Sequence, residues 1–432
     1  MDGEQMARWR DKIRKQLAEE RPAAVELLRD WVREPSVQGA ERPLQEKIAR
    51  RLAAMGLKVD LWVMEGEELL HHPYFVSPRT TFADSPNVVG VWPGTGGGRS
   101  LILNGHVDVV PAGDERQWQE DPFSGSVVDG KLYGRGATDM KGGNLAALLA
   151  IQTLQALGVR LKGDVIFQSV VEEESGGAGT LAAILRGYRA DAALVPEPTN
   201  MKIFPKQQGS MWFRLWIKGR SAHGGTRYEG VSAIEKSMRV LQAIRQLEEE
   251  RNRRIDDPLY AKLPIPIPIN VGVIEGGKWP SSVADLVKLE GRMGVAPGEE
   301  MEQAQAEMEQ ALQKLAEEDD WFREHPVELE WFGARWVPGA VAADHPLMLI
   351  LQEACQLVLG RAPVVEAAPW GTDGGLLSKL ADTPAIVFGP GVTQVAHYPN
   401  EFIELDAVFQ CAEIFALTML QWCGVAEEGA IA

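Results

Sequence analysis

The sequence predicts an α/β protein, a mostly parallel sheet with helices on both faces, interrupted by an inserted α+β domain. Three observations carry that expectation. Short apolar, β-branched runs alternate with helical segments through the first half of the chain. The texture changes near Lys206, where alternating strands and long polar helices take over. After about Pro326 the α/β pattern returns.

In chain order, helical periodicity covers residues 4–33 and 43–55, and "KVDLWV", "NVVGVW" and "SLILNGHV" follow as strands. Between the last two, "TGGG" (Thr95 to Gly98) lacks the lysine of a phosphate loop and reads as a hairpin turn. The helix "GGNLAALLAIQTLQALG" leads to the strand Val165 to Val171, then to another helix and the strand "ADAALVPEP". The insertion opens with "SMWFRLWIKGRSAHGG" and a helix from Val231 to about Arg254. In "LPIPIPINVGVIEGG", Pro264, Pro266 and Pro268 suit the approach to a strand or a sheet edge. The strand "DLVKLEGRMG" and the helix "GEEMEQAQAEMEQALQKLAEE" complete it. A helix, the strand "TPAIVFGP" and a last helix close the chain. The expected domains are 1–206, 207–325 and 326–432, the first and third being parts of one α/β domain.

The 432 residues suffice for two or three domains, and 45% hydrophobic with 24% charged residues is an ordinary globular balance. Lys and Arg total 44 against 61 Asp and Glu, a formal charge of -17. Such a surface repels phosphate backbones and anionic lipid, so neither nucleic acid nor a membrane is an expected partner. No apolar run has the length of a membrane span, and "MDGEQMARWRDKIRKQLAEE" lacks a signal peptide's apolar core. Three cysteines without a CxxC pair fit a cytoplasmic location.

Common hydrolase signatures (GxSxG, HExxH, a Cys/His zinc pattern) are missing from the sequence. What remains is a set of His, Asp and Glu residues at strand ends and turns. In "LILNGHVDVV", His106 ends a strand, and Asp108, two residues on, faces the same way in extended chain. Its carboxylate is placed to accept one imidazole proton and leave the other nitrogen for a metal, although a buried hydrogen bond explains the pair equally well. Asp139 in "YGRGATDMKGG" doubles as a helix cap, Glu197 in "VPEPTN" as a loop acid, and His397 in "VAHYPNEFIEL" as a surface histidine. The strand before "EEESGG" ends in Glu172, Glu173 and Glu174, mutually repelling without a partner.

One explanation covers all of them. The carboxyl ends of strands in an open α/β sheet form the ligand crevice. Two divalent metals carry +4, while Asp139, Glu197 and one glutamate of the triplet supply -3, and a hydroxide neutralises the site. Oxygen and imidazole ligands without thiolate suit zinc, with cobalt or manganese as alternatives.

The motifs "GHVDVVP", "GRGATDMKGG", "EEESGG", "PEPTN", "SAHGG" and "HYPNE" run in order from residue 106 to 401. Together they resemble the di-zinc amidohydrolase family of acetylornithine deacetylase, succinyl-diaminopimelate desuccinylase, aminoacylases and glutamate carboxypeptidases. The resemblance implies a zinc-exopeptidase-like sheet with a lid and dimerisation domain at 207–325. It implies that His106 and Glu197 hold one metal, Glu174 and His397 the other, with Asp139 bridging and Asp108 orienting His106. Glu173 takes the general-base position, and Glu172 that of a spectator or of a group supporting the ligands from behind. The implied reaction is hydrolysis of an amide by a metal-bridged hydroxide, Glu173 passing the proton to the leaving amine.

The same resemblance makes Arg292, in "LEGRMGVAPGE", a grip for a substrate carboxylate. It makes Gly371 and Thr372, in "PWGTDGG", substrate contacts, although Thr372 or Asp373 also suits a helix cap. His223 is implied to reach the substrate oxyanion of a partner subunit, hence a homodimer. The expected substrate is a small N-acyl amino acid or related amide. The alternatives are a deformylase or decarbamoylase of a non-amino-acid amide, or a dipeptidase or carboxypeptidase. Ser281 in "WPSSVAD" stands where many relatives have asparagine, and the 65–84 segment with His71 and His72 looks like an extra loop.

Overall fold

Four parallel strands, in the order Val165–Val170, Leu101–His106, Ala192–Val195 and Ala385–Val387, form the centre of a nine-stranded sheet. Pro86–Trp92 and Lys58–Val63 extend it antiparallel on one side, and Ile203–Gln207 joins antiparallel on the other. The central strands are buried along their whole length, which is why they read as continuous apolar runs and not as alternating ones. The computed structural model describes residues 2–426.

Contacts divide these residues into two units. The first comprises the described residues up to Lys206, Gly339–Glu366 and those from Thr372 onward. Its helices Gly3–Arg33, Gly142–Ala156, Pro346–Leu359 and Leu405–Trp422 pack on one another, while Ala178–Leu185 and Gly374–Leu380 form a separate pair. Gly142–Ala156 is apolar and buried on nearly every side, as a helix between a sheet and other helices must be. The "TGGG" turn is not a hairpin. The two strands it joins are separated in the sheet by Val165–Val170, and Thr95 and Gly96 donate instead to the carbonyls of Leu161 and Lys162.

The second unit is Gln207–Pro338 with Ala367–Gly371. Its four strands are antiparallel, in the order Ile269–Gly276, Leu286–Val295, Gly209–Lys218 and Glu328–Trp336. Gly209–Lys218 alternates buried and more exposed residues, so one face is covered, in part by the helix Ala233–Arg253. The prolines lead into Ile269–Gly276, which is an edge strand. Glu328–Trp336 lies beyond the expected end of the insertion at 325. Its alternation is local and does not say which sheet it will join; its pairing of Leu329 with Leu215 does. Among the described residues no helix is long and apolar enough to cross a membrane.

Candidate metal centre

Because the four central strands are parallel, their carboxyl ends share one edge of the sheet. His106 is the last residue of its strand, the triplet follows Val170, Glu197 follows Val195, and the chain beyond Val387 leads to His397. Gly105 is required beside His106: a Cβ there would lie 1.9 Å from Asn144 Oδ1, and Asn144 donates to the His106 carbonyl at 2.6 Å. Asp139 sits in the turn Ala137–Lys141, immediately before the Gly142–Ala156 helix.

These residues converge. His106 Nε2 lies 3.2 Å from Asp139 Oδ1 and 3.7 Å from Glu197 Oε1. His397 Nε2 lies 3.2 Å from Asp139 Oδ2 and 3.0 Å from Glu174 Oε1. The two oxygens of Asp139 therefore face different histidines. Glu173 offers an oxygen to the group formed by His106 and Glu197, all three atoms within 4.8 Å of one another.

The supporting contacts differ from expectation or sharpen it in three places. His106 Nδ1 donates to the main-chain carbonyl of Asp108 at 2.8 Å, whereas the Asp108 carboxylate is 3.7 Å away. That carboxylate accepts the backbone N–H groups of Glu173 (3.3 Å) and Glu174 (3.1 Å), so it holds the turn carrying both glutamates. Of the two expectations for Glu172, the contacts favour a supporting group: it is fully buried, and Arg79, Ser77, Gln38 and Ser175 donate to its carboxylate. Glu401, unassigned from sequence although it ends "HYPNE", accepts from the N–H groups of Thr138 (2.9 Å) and Asp139 (3.2 Å). Its other oxygen pairs with buried Arg135 at 2.6 Å, and Arg135 also donates to the His397 carbonyl. Lys141 is buried too and donates to the carbonyls of Trp31 and Glu34.

Burial governs the electrostatics. It raises Glu173 well above the usual carboxylate range, helped by the charge of Glu197. It raises Glu197 to about 7 against the opposing pull of His106. Burial also lowers Lys141 to about 7. For His106 burial acts downward, but the charge of Glu197 and the hydrogen bond to Asp139 outweigh it and hold the imidazole well above its ordinary value. Asp139 is buried as well, yet its hydrogen bonds to His106 and His397 hold it well below the usual range. Those to Asp139 and Glu174 push His397 up to about 11. Each imidazole is thus paired with carboxylates. The donor atoms also fit metal: bonds of about 2.0–2.1 Å in a tetrahedron put neighbouring ligand atoms roughly 3.4 Å apart, and the observed separations run from 3.0 to 3.7 Å.

The other expected residues are placed as follows. Thr372 is buried, and its hydroxyl accepts from the N–H of Gly374, the first residue of the helix Gly374–Leu380, whose N-cap is Asp373. Neighbouring Asp373 accepts from Thr180 and is pushed up to about 6 by burial. Gly371 belongs to the second unit, where a Cβ would lie 2.6 Å from that of Trp336. Arg292, on Leu286–Val295, is half-buried with no ionic or hydrogen-bond partner among the described residues, and burial lowers its pKa. His223 is exposed, and its Nδ1 accepts from Gly225 N–H, which puts the proton of a neutral ring on Nε2. His71 pairs with Glu67, and His72 accepts from Tyr74 N–H, each within the 65–84 segment.

A carboxylate facing two histidines, each beside a further carboxylate at the strand ends of an α/β sheet, is a donor set suited to a metal-dependent hydrolase. The chain belongs to the peptidase family M20/M25/M40, whose pattern matches residues 102–421. It is 33% identical to N-formyl-4-amino-5-aminomethyl-2-methylpyrimidine deformylase of Halalkalibacterium halodurans, over 88% of each chain. It is 26% identical to acetylornithine deacetylase of Edwardsiella ictaluri, over 93% of this chain and 98% of that one. A dinuclear metal-binding M20 peptidase from Bacillus subtilis shares the fold, with a TM-score of 0.63 at 18% identity, covering 94% of this chain and 99% of that one. The protein is a hydrolase of amide bonds.

Proposed function

We propose that the chain hydrolyses a small linear amide with two divalent metal ions, zinc or else cobalt or manganese. One would be held by His106 and Glu197 and the other by Glu174 and His397, with Asp139 shared. The observation that carries this reading is the division of the two Asp139 oxygens between His106 and His397. Bound there, the metals would supply Lewis acidity and acidify a water near the scissile amide. Glu173, buried beside His106 and Glu197, would take a proton from the attacking water and return it to the leaving nitrogen. His106 keeps Nε2 free for metal because Nδ1–H is spent on the Asp108 carbonyl.

For the substrate, the leading reading is an N-formyl amide of a heteroaromatic methylamine, supported by the higher identity to the deformylase than to the deacetylase. The second reading, an N-acyl amino acid, is favoured by Arg292, a half-buried guanidinium with no protein carboxylate to answer it. Gly371 and Thr372 are assigned to the substrate on the family pattern alone. The deciding experiment compares N-formyl, N-acetyl, N-succinyl and dipeptide substrates on zinc- and cobalt-loaded protein, wild type and Arg292→Ala. Formyl turnover indifferent to Arg292→Ala supports the first reading; a large rise in KM for a carboxylate-bearing amide supports the second. Turnover that survives complete metal removal refutes both.

A homodimer through the second unit, in a cytoplasmic setting, is part of this proposal. The unit presents an edge strand with Ile274 59% exposed, and the helix Ala233–Arg253 shows Ile234 at 48% and Met238 at 65%. His223 then serves the partner's substrate through Nε2–H. Glu173→Ala and His223→Ala proteins, each inactive alone, should recover about a quarter of wild-type activity when their subunits exchange at random. No recovery after proven exchange places His223 elsewhere.

A further inference from the structure

The 65–84 segment is fastened to the glutamate turn by one arginine. Arg79 Nε donates to Glu172 Oε1 at 2.7 Å, and its Nη2 lies 2.5 Å from the same oxygen and 3.2 Å from Glu41 Oε1. Glu172 Oε2 accepts from Ser175 (2.6 Å), Ser77 (2.7 Å) and Gln38 (2.9 Å). Glu41 accepts from Ser85 (2.5 Å) and Gly39 N–H (2.9 Å), and both carboxylates are fully buried. The guanidinium lies over the ring of Phe82, a core residue against which Phe75 packs edge-on. The segment is therefore rooted in the core at Phe82 and reaches the turn through Ser77 and Arg79.

Glu172 needs such a hold. Its φ is +66°, a left-handed conformation that costs energy for a residue with a Cβ. The turn closes through Gly177 N–H to the Glu172 carbonyl (2.7 Å) and Gly176 N–H to that of Glu173 (3.0 Å). On its other side the Asp108 carboxylate holds the amides of Glu173 and Glu174. Two fixed points, Glu172 and Asp108, thus bracket the two glutamates assigned to catalysis. Arg79 also gives the first glutamate of the triplet a permanent cationic partner, which removes part of its repulsion toward the next two.

We propose that Arg79 and Glu172 are positioning residues: by clasping Glu172, the 65–84 segment sets the angle at which Glu173 and Glu174 are presented, and so controls turnover without touching substrate. This rests on the assignment of Glu173 as base and Glu174 as ligand. The test uses full-length Glu172→Gln, Arg79→Met, the double variant and Arg79→Lys. Each of the first two should lower kcat about tenfold or more, with KM within about twofold and both metals retained. The double variant should be no worse than either single one, because the two residues act as one unit. Arg79→Lys, which keeps the charge but not the fork, should recover part of the loss. In metal-free protein, hydrogen exchange at Gly176 and Gly177 and across 65–84 should quicken in both single variants. That readout stands whatever amide is cleaved, so a wild type inactive on every amide would refute the functional reading while the exchange still reports on the clasp. Unchanged kcat in Arg79→Met despite quickened exchange across 65–84 overturns the proposal. So does a kcat loss accounted for entirely by unfolded protein. If Arg79→Met does not fold, Ser77→Ala and Arg79→Lys carry the same comparison with milder damage.

Discussion

The two halves of the candidate centre are built differently. His106 and Glu197 have side chains 1% and 6% exposed, and each stands at the end of a central parallel strand. His397 is 49% exposed and Glu174 17%, and both stand on turns. One half is set into the sheet, where neighbouring backbone cannot give way. The other faces water and is held by hydrogen bonds to turn backbone, among them Arg135 to the His397 carbonyl and the Asp108 carboxylate to Glu174 N–H. A ligand cage with one rigid, dry side and one open side suits a site that must keep a metal and still admit a substrate.

The largest effect should come from the group between the halves that is assigned to the proton. Glu173→Gln should lower kcat by about 10²–10⁴-fold while both metals remain, measured by steady-state rates and metal analysis. Loss of a metal from this variant would mean that Glu173 belongs to the cage of the buried half. Next comes Glu401→Gln, which disturbs the shared Asp139 and so both halves. Metal affinity should fall about 10–100-fold, read by competition with a chromophoric chelator. A loss confined to one metal would show that Asp139 is not shared.

The pH dependence of metal uptake follows from the imidazoles. His397, pushed up to about 11, carries a proton at neutral pH in the metal-free chain, and His106 is raised in the same direction. Metal must displace these protons, so affinity should rise with pH until His397 has titrated and fall on acidification. The slope should be about tenfold per pH unit for each proton released. Calorimetry in two buffers of different ionisation enthalpy counts the protons, and none released would refute the assignment. The smallest effect separates the halves in time. A graded chelator should empty the exposed half first, giving one metal per chain before none. A single concerted step would erase the distinction.

The convergence of His106, Asp139, Glu197, His397 and one glutamate of the triplet was legible because strand ends and glycine-rich turns are local features, and a parallel sheet brings its strand ends to one edge; the choice of Glu174 came from the family resemblance alone. The supports were not. Nothing within the sequence around Asp108 says that its carbonyl and not its carboxylate would meet His106, since that depends on where the Glu173–Glu174 amides arrive. Glu401 and Arg135 are 266 positions apart, and Arg79 and Glu172 are 93. Such polar pairs leave no periodicity behind them. The strand Glu328–Trp336 was not read from the sequence at all, and its place in the second unit is set by register with Gly209–Lys218.

The first unit is interrupted in the chain, and Asp139, which faces both histidines, hangs by its backbone N–H on Glu401. A ribosome makes His106, Asp139 and Glu197 long before it makes His397, with the whole second unit between. The second unit, almost continuous, can settle while the first still waits for its closing segment. A nascent chain stopped short of residue 397 holds at most the buried half of the cage, and one stopped short of residue 401 leaves Asp139 without its anchor. On the proposed ligand assignment, metal loading would be a late event in this protein's biosynthesis, and arrested chains of graded length would show the point at which it begins.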